Sequence, residues 1–319
     1  MKCKKCGTKA VINMRQHKLS LCKEHFLEWI PQQTQRFIEK YQMFGRNDRI
    51  LVAVSGGKDS LSLWDVLNRL GYRADGLYIN LGIDDGTNYS ENSKHLSECF
   101  AEAHHLHLHS VAIETLEGYS VPEASRLSLR GKGRPCSVCG LTKRHIMNRV
   151  AQEHQYDVLV TGHNLDDEAA VLFGNTINWI TGYLVRQYPV LEARSGLVRK
   201  AKPFFRFYER ETAAYALLRG IEYIYDECPY AAGAKSIYYK EVLNTMEAKQ
   251  PGTKLAFFLS FLRAKDSGFL AIGHADDRSE LHNCQSCGQP TTAPDTCAYC
   301  RTWEQIRNRQ SRIIEERQT

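Results

Sequence analysis

An apolar strand that runs directly into two glycines constrains the fold more than any other feature of the sequence. Residues 49–55 have the continuous apolar character of a buried strand, and Gly56 and Gly57 follow at once. Glycines let the backbone approach a ligand closely, and the helix predicted behind them offers unpaired N–H groups. Lys58 adds a cation and Ser60 a hydroxyl. The turn therefore predicts a phosphate-binding loop, with a plain capped strand–helix turn as the alternative.

Strands and helices alternate along the following chain. Further strands are predicted at residues 74–82, 106–113 and 156–163, and helices at residues 59–71, 91–105, 141–155 and 165–178. Such alternation is typical of an α/β fold, in which helices cover a parallel sheet and ligands bind beyond the carboxyl ends of the strands. No apolar run is long enough to span a bilayer, and the first ten residues lack the apolar core of a secretory signal. We therefore expect a cytoplasmic protein with no membrane partner.

Eleven cysteines in a protein of a reducing compartment favour metal sites or redox chemistry over disulfides. Two groups near the chain ends have the spacing of metal ligands: C-x2-C-x15-C-x2-H for Cys3, Cys6, Cys22 and His25, and C-x2-C-x9-C-x2-C for Cys284, Cys287, Cys297 and Cys300. Each group supplies the four ligands of a closed tetrahedral zinc site. The sequence therefore predicts two small zinc modules.

A third group consists of Cys136 and Cys139, which form a C-x2-C pair at a predicted helix start, and the distant Cys228, which precedes a proline. Three thiolates can hold a [4Fe–4S] cluster that leaves one iron open to an exogenous ligand. Alternatively, two of the cysteines form a catalytic pair in which one carries a persulfide and the other resolves it as a disulfide. A third zinc site and inert buried thiols are further alternatives. Cys99 lies inside a predicted helix and is interpreted as inert.

Two motifs carry a family resemblance. Residues 55–60, "SGGKDS", resemble the pyrophosphate-binding loop of the PP-loop ATP pyrophosphatases, and residues 158–168, "VLVTGHNLDDE", are similar to a second motif of that family. From spacing alone, Asp166 and Asp167 could simply be acidic residues in a first helical turn, where they interact favourably with the helix dipole. Together with "CSVCG", the distant Cys-Pro and the two zinc modules, the motifs resemble the tRNA 2-thiouridine synthetases. The closest group has two zinc fingers and acts on 5-methyluridine of the tRNA T-loop.

This resemblance implies a reaction and a site. The enzyme would transfer AMP from ATP to the C2 oxygen of the uridine, and sulfur would then replace that oxygen. ATP and Mg²⁺ would be bound by Ala53, Ser55, Gly57, Asp59, Ser60, Ile79, Lys143 and Gly162. Lys143 and Asp167 would act in catalysis, although Lys143 alone could also be a solvated helix residue. The catalytic cysteines Cys136, Cys139 and Cys228 would hold a [4Fe–4S] cluster with an open iron.

We divide the chain into an N-terminal zinc finger (1–30), a PP-loop catalytic domain (31–272), a C-terminal zinc finger (273–305) and a charged tail (306–319). The resemblance implies tRNA, a ubiquitin-like sulfur carrier ending in a thiocarboxylate, and a second copy of the chain as partners. The formal net charge of +6 is modest, but residues 126–149 contain seven Lys or Arg and no acidic residue. Such a stretch suits RNA held through its phosphates. The basic residues nearest the C-x2-C pair are Arg126, Arg130, Lys132 and Arg134.

Several other functions fit parts of the pattern. Related enzymes thiolate the wobble uridine or a tRNA cytidine, and other PP-loop enzymes adenylate a carboxylate or amide. A zinc-ribbon RNA-binding protein with a relic nucleotide fold is the alternative from a different class. His105, His107 and His109 alternate and would share one face of a strand, which we interpret as an ordinary strand face rather than a metal site.

Overall fold

The computed structural model describes residues 1–130, 134–269 and 280–318. Lys132 and the predicted domain boundary at residue 272 lie outside these ranges. The chain begins with a small hairpin and a long helix, β1 (Ile12–Met14), β2 (Leu19–Leu21) and α1 (Lys23–Lys40). Helix α1 runs without interruption through residue 30, where the N-terminal module was predicted to end. The division into domains stays a prediction.

The central part of the chain alternates strands and helices, as the sequence predicts. Its elements are β3 (Ile50–Val54), α2 (Lys58–Arg69), β4 (Ala74–Asn80), α3 (Tyr89–Ala103), β5 (Leu108–Ala112), α4 (Ile113–Glu117), α5 (Val121–Leu127), α6 (Pro135–Glu153), β6 (Val158–Thr161) and α7 (Leu165–Ile177). The remainder consists of α8 (Thr181–Arg186), β7 (Val190–Leu191), β8 (Arg199–Ala201), α9 (Glu209–Arg219), α10 (Lys235–Lys249), α11 (Thr253–Asp266), β9 (His282–Asn283), β10 (Pro290–Thr291) and α12 (Ala298–Gln318).

The main sheet has six strands in the order β5-β4-β3-β6-β8-β7. All neighbouring pairs are parallel except β7 and β8, which form an antiparallel edge. Strands β3 and β6 are neighbours, with Ala53 opposite Thr161 at their carboxyl ends. The two loops that carry the family motifs therefore leave the sheet side by side.

Side chains of β3 enter two separate cores on the two faces of the sheet. Ile50, Val52 and Val54 pack with Trp64 of α2, whereas Leu51 packs on the opposite face with the elements around α6. This alternation explains why β3 reads as a continuous apolar run, because both of its faces are covered. Within the described ranges, no helix has both the length and the apolar composition needed to cross a membrane.

The predicted histidine row is wrong in part. Helix α3 ends at Ala103, and His105 has a φ of 53°, which turns the chain before β5 begins at Leu108. Only His109 of the three therefore lies in the strand, where its Nε2 is 2.8 Å from the hydroxyl of Tyr156. The ligand atoms of the three histidines do not converge as a metal site would require.

Candidate active site

The loop between β3 and α2 is closed by its own serines. The amide of Ser55 donates a hydrogen bond to the hydroxyl of Ser60 over 3.1 Å, and that hydroxyl donates to the carbonyl of Gly57 over 3.0 Å. Gly56 has a φ of +71°, and a Cβ there would lie 2.5 Å from the carbonyl oxygen of Ser93. This position therefore requires glycine both for its backbone conformation and for its contact with α3.

The loop after β6 contacts the first loop directly. A Cβ on Gly162 would lie 2.8 Å from the carbonyl carbon of Asp59, so only glycine permits this approach. Asn164 begins α7 with a capping box in which its side chain accepts from the amide of Asp167 and the Asp167 carboxylate accepts from the amide of Asn164. Asn164 also donates to Asp59 over 3.2 Å. Helix α7 is thus fixed to the phosphate loop at its first residue.

The two adjacent aspartates point to different places. Asp167 lines the cavity between the two loops, while it also completes the capping box. Asp166 is buried, where its carboxylate accepts from the amide of Glu209 over 2.9 Å and pairs with the Lys254 ammonium. Asp167 therefore has the geometry of a site residue, and Asp166 that of a residue that fixes the surrounding helices.

Most of the predicted nucleotide-site residues meet around two adjoining cavities. A cavity of about 290 Å³ is lined by Ala53, Ser55, Asp59, Ser60, Lys143, Gly162, His163 and Asp167, among others. A smaller one of about 100 Å³ is lined by Ala53, Ser55, Ile79, Tyr89, Lys143 and mainly apolar side chains. Gly57 immediately precedes α2, whose N-terminus points at the loop. The larger cavity, where Ser55, Ser60 and Lys143 offer hydroxyl groups and a cation, suits phosphates, and the smaller one beside Ile79 suits a flat base.

A chain of alternating charges crosses the site. The Lys58 ammonium lies 3.1 Å from Asp59 and 2.9 Å from one carboxylate oxygen of Glu209. The other oxygen of Glu209 lies 3.2 Å from the ammonium of Lys240, which is also 2.6 Å from Asp167. Glu209 and Lys240 carry no sequence signal, because neither belongs to a recognisable motif and both come from helices far along the chain.

Burial and the neighbouring charges shift the pKa values of Asp59 and Lys58. Burial raises the pKa of the Asp59 carboxyl, although Lys58 beside it acts in the opposite direction. Burial alone would lower the pKa of Lys58, but Asp59 and Glu209 outweigh it and raise that pKa. The Lys58 ammonium is therefore held in its charged form at the entrance to the phosphate loop.

The three cysteines of the third group are brought to the same region. Cys136 lies in the first turn of α6 and Cys139 in the second, and Lys143 follows Cys139 by one further turn. The thiol of Cys136 lies 3.5 Å from the carbonyl oxygen of Tyr230, two residues beyond Cys228. The chain leading to Cys228 is tied to the phosphate loop, because the amide of Ile224 donates to the carbonyl of Gly56 over 2.9 Å.

Cys139 and Cys228 share a partly buried environment close to Lys143. Burial raises the pKa values of the Cys139 and Cys228 thiols, and Lys143 opposes this rise in both. Within the described residues, the three sulfurs do not approach one another as closely as the ligands of the two end groups do. Wider spacing is expected for a cluster, since each thiolate there binds a different iron. Three thiolates are the donor set of a [4Fe–4S] cluster with one open iron, so the residues present fit such a group.

Both end groups have the geometry of a tetrahedral ion site. The Sγ atom of Cys22 lies 3.3 Å from Nδ1 of His25 and 3.7 Å from Sγ of Cys6, and Cys3 completes the group. In the second group, Sγ–Sγ distances are 3.8 Å for Cys284 and Cys300 and 3.8 Å for Cys287 and Cys297. Zinc–sulfur bonds of about 2.3 Å in a tetrahedron separate two sulfurs by roughly 3.8 Å. The residues present therefore fit one zinc ion in each module.

Comparisons with known proteins identify the family of the chain. The profile described as "2-thiouridine synthetase TtuA, N-terminal LIM domain" matches residues 2–27, and that of the PP-loop domain matches residues 27–232. The chain is 50% identical to the tRNA-5-methyluridine(54) 2-sulfurtransferase of Thermus thermophilus, over 97% of this chain and 93% of the relative. It is 44% identical to the protein of the same name from Thermotoga maritima, over 98% and 99%.

A solved structure has the same fold. The U34-tRNA thiolase NcsA from Methanococcus maripaludis, solved with its [4Fe-4S] cluster, superposes with a TM-score of 0.77 over 97% of this chain and 96% of that one, at 23% identity. The predicted α/β fold with a PP-loop core is thereby confirmed. From the extent of the PP-loop match and the 50% identity over nearly the full length, the chain belongs to the tRNA-5-methyluridine 2-sulfurtransferase family of PP-loop enzymes.

Proposed function

We propose that the chain thiolates tRNA, with 5-methyluridine of the T-loop as its target, by adenylating the C2 oxygen of that base and replacing it with sulfur. One observation carries this proposal: the segment that contains Cys228 is hydrogen-bonded to the phosphate loop through Ile224 and contacts Cys136 through the carbonyl of Tyr230. Activation by ATP and a thiol-based sulfur site are therefore within reach of one substrate base. A nucleotide-binding protein without sulfur chemistry would have no need of this junction.

ATP occupies the two adjoining cavities in this proposal. The phosphates lie against the N-terminus of α2, where Ser55, Gly57 and Ser60 present backbone and hydroxyl groups. The adenine enters the apolar cavity beside Ile79. Asp59, which lines the larger cavity, is paired with Lys58, so the cation stays next to the loop that binds the phosphates.

The first chemical step joins the C2 oxygen of the base to the α-phosphorus and breaks the bond between that phosphorus and the bridging oxygen, so pyrophosphate leaves. Lys143 lines both cavities and can stabilise the negative charge that develops on the transferring phosphate. Asp167 is the carboxylate available to a Mg²⁺ ion bound with the phosphates. Sulfur then bonds to C2, and the original oxygen departs within AMP.

Cys136, Cys139 and Cys228 are the residues that would hold a [4Fe–4S] cluster. When bound, such a cluster supplies an iron that can carry the sulfur atom. The chain's own contribution is to place these thiols beside Lys143, which belongs to the same helix as Cys136 and Cys139. In the end modules, zinc ions would fold short segments that have little core of their own.

The remaining partners follow from the substrate. The exposed Arg126, Arg130 and Arg134 surround the start of α6 and suit tRNA phosphates. A ubiquitin-like carrier with a C-terminal thiocarboxylate would deliver sulfur, the active form would be a homodimer, and the reaction would take place in the cytoplasm. These assignments rest on the family resemblance and on the charge pattern.

The proposal is tested with anaerobically reconstituted protein, tRNA transcripts methylated at the T-loop uridine, ATP and sulfide, followed by mass spectrometry of the digested nucleosides. We expect 2-thio-5-methyluridine, together with AMP and pyrophosphate. Appearance of a wobble 2-thiouridine or a 2-thiocytidine instead would identify a different target. ATP cleavage with no thiolated nucleoside under any of these conditions would overturn the proposal.

A further inference from the structure

A pair of tyrosines stands at the edge of the proposed site, on the segment that links α9 to Cys228. The rings of Tyr223 and Tyr225 have their centroids 4.4 Å apart with an angle of 38° between their planes. Ile224 lies between them in sequence, and its amide donates to the carbonyl of Gly56 in the phosphate loop. The pair is therefore fixed to the loop that binds ATP in the proposed function.

Tyr225 is unusually exposed for a residue in this position. It retains 76% of its accessible surface, more than most large apolar or aromatic side chains in the described part of the protein. Tyr223 beside it is only half-buried. A rigid aromatic ring that is backed on one side by another ring and open on the other provides a stacking surface at low entropic cost.

Along the chain, the tyrosine pair is close both to the residue bonded to the phosphate loop and to Cys228. Tyr225 is one residue beyond the hydrogen bond to Gly56 and three residues before Cys228. Three extended residues span about 10 Å at most. A ring at Tyr225 is therefore within reach of a base whose C2 atom must meet the α-phosphate of ATP first and a sulfur atom second.

The charges next to the pair favour a base over a phosphate. Asp226 and Glu227 follow Tyr225 directly, and both are exposed. Carboxylates repel the phosphodiester backbone, but they accept hydrogen bonds from donors such as the N3–H group at the Watson–Crick edge of uracil. In the proposed function the adenine of ATP has its own cavity around Ile79 and Tyr89, and neither tyrosine of the pair is among the residues that line it.

We infer that Tyr225, backed by Tyr223, is the stacking platform for the target pyrimidine after it leaves the T-loop stack. This inference rests on the proposed function and names the part of the chain that receives the base. A base inside folded RNA must be extruded before a reaction at C2, and enzymes that extrude a base commonly hold it against an aromatic ring. Tyr225 is thus a substrate-positioning residue.

The inference is tested by a double-mutant cycle between protein and RNA. The protein variants are Tyr225→Leu and Tyr225→Phe, and the RNA is a full-length tRNA with either a uridine or an abasic ribose at the target position. Dissociation constants are measured at one fixed salt concentration, because backbone contacts make tRNA affinity salt-dependent. One base–aromatic stack contributes about 1–3 kcal/mol, so the ratio of the abasic to the intact dissociation constant should be roughly 5- to 150-fold larger for the wild type than for Tyr225→Leu.

The expected pattern is non-additive. Tyr225→Leu should weaken binding of the intact tRNA by a similar factor and should show little further loss with the abasic tRNA, because one stack is lost only once. Tyr225→Phe should behave as the wild type, since it keeps the ring. Tyr183→Leu is the matched control: Tyr183 is 56% exposed but lies on α8, beyond the far end of α7 from Asp167, and the full abasic penalty should remain.

Two results would overturn the inference. One is a Tyr225→Leu protein that still shows the full penalty for the abasic tRNA, and the other is a Tyr225→Leu protein whose affinity for ATP falls in step with its affinity for tRNA, which would assign the ring to adenine. Thiolation by the wild type, measured separately by nucleoside mass spectrometry, distinguishes failure of the stacking platform from failure of the proposed function. If the wild type thiolates tRNA and the cycle shows no coupling, only the platform is wrong; if the wild type thiolates nothing, the proposed function and the platform fail together.

Discussion

The ammonium of Lys240 lies 2.6 Å from a carboxylate oxygen of Asp167, although 72 positions in the chain separate the two residues. Glu209 lies 3.2 Å from the same ammonium. Burial alone would lower the pKa of Lys240, but Asp167 and then Glu209 outweigh it and raise that pKa above its ordinary value. Helix α10 therefore contributes a permanent positive charge that holds Asp167 at the rim of the nucleotide cavity.

Replacing Lys240 with Met should leave two neighbouring carboxylates without their shared cation. A hydrogen bond between charged groups contributes about 1.5–3 kcal/mol, so we expect kcat/KM for thiolation to fall roughly tenfold to hundredfold. The measurement is steady-state formation of thiolated nucleoside, with Lys235→Met as control, since Lys235 is an exposed lysine of the same helix. Equal losses in both variants would mean that α10 tolerates neither change and that the Asp167 contact is not the cause.

Gly56→Ala should abolish the phosphate loop, whereas Gly118→Ala should not. Both glycines have a positive φ, of +71° and +83°, so alanine carries a similar backbone strain of about 1 kcal/mol at either position. Only at Gly56 would the new Cβ collide with backbone, 2.5 Å from the Ser93 carbonyl oxygen, while nothing lies within 4 Å at Gly118. Calorimetric titration with ATP should show binding lost in the first variant and kept in the second. Normal ATP affinity in Gly56→Ala would refute the steric argument.

Cys228→Ser should remove iron without removing zinc. If three thiolates hold the cluster, losing the most distant one in sequence should eliminate most of the iron and the broad visible absorption after anaerobic reconstitution. Cys99→Ser is the matched control, because Cys99 is exposed on α3 and belongs to none of the three groups. Zinc content and ATP binding should be unchanged in both. A wild-type protein that contains neither iron nor acid-labile sulfide and is still fully active would favour the persulfide mechanism instead.

Glu211 should make the stability of the fold depend on pH. Its carboxyl is fully buried against Gln16 of the N-terminal module, and burial raises its pKa to about 7. Because this value lies above that of the unfolded chain, the folded protein binds the proton more tightly, and stability should fall as pH rises from about 4.5 to about 7. In Glu211→Gln this loss should be absent, so the difference in unfolding free energy between variant and wild type should grow with pH by up to about 3 kcal/mol. Thermal unfolding at pH 5 to 8 measures it, with the exposed Glu222→Gln as control; a pH-independent difference for Glu211→Gln would contradict the assignment.

Apolar runs and helical spacing in the sequence predicted the longer strands and helices of the central sheet. The apolar run at Ile50–Val54 and the helical spacing after Lys58 indicated the βαβ core, since burial on both faces of a parallel strand leaves a clear signature. The edge strand Val190–Leu191 and its neighbour Arg199–Ala201 went unpredicted. The first is two residues long, and the second has three residues of which two are charged, so their pairing depends on the neighbouring sheet rather than on their own composition.

The candidate site was predictable where ligands have a fixed spacing in sequence or belong to a motif of the family. The spacing of Cys3, Cys6, Cys22 and His25 indicated a metal site, because a small tetrahedral module imposes fixed intervals. Lys240 and Tyr225 carried no such signal. A lone lysine in a helix and a tyrosine in a loop acquire meaning only through folding, which brings α10 and the segment after α9 against the two motif loops.

Helix α6 contributes both to the proposed sulfur site and to the contact with the C-terminal module. Its first turns present the C-x2-C pair and Lys143, while further along Asn148 donates to Gln289 of the C-terminal module over 2.6 Å and His145 stacks on Tyr299 at 3.7 Å. Inserting a single residue between these two sets would rotate one against the other by about 100°. Insertions and deletions should consequently be absent from residues 139–148 in related proteins and tolerated in the surface loops. A change of length in this part of α6 would separate the contacts with the C-terminal module from the side chains at the proposed sulfur site.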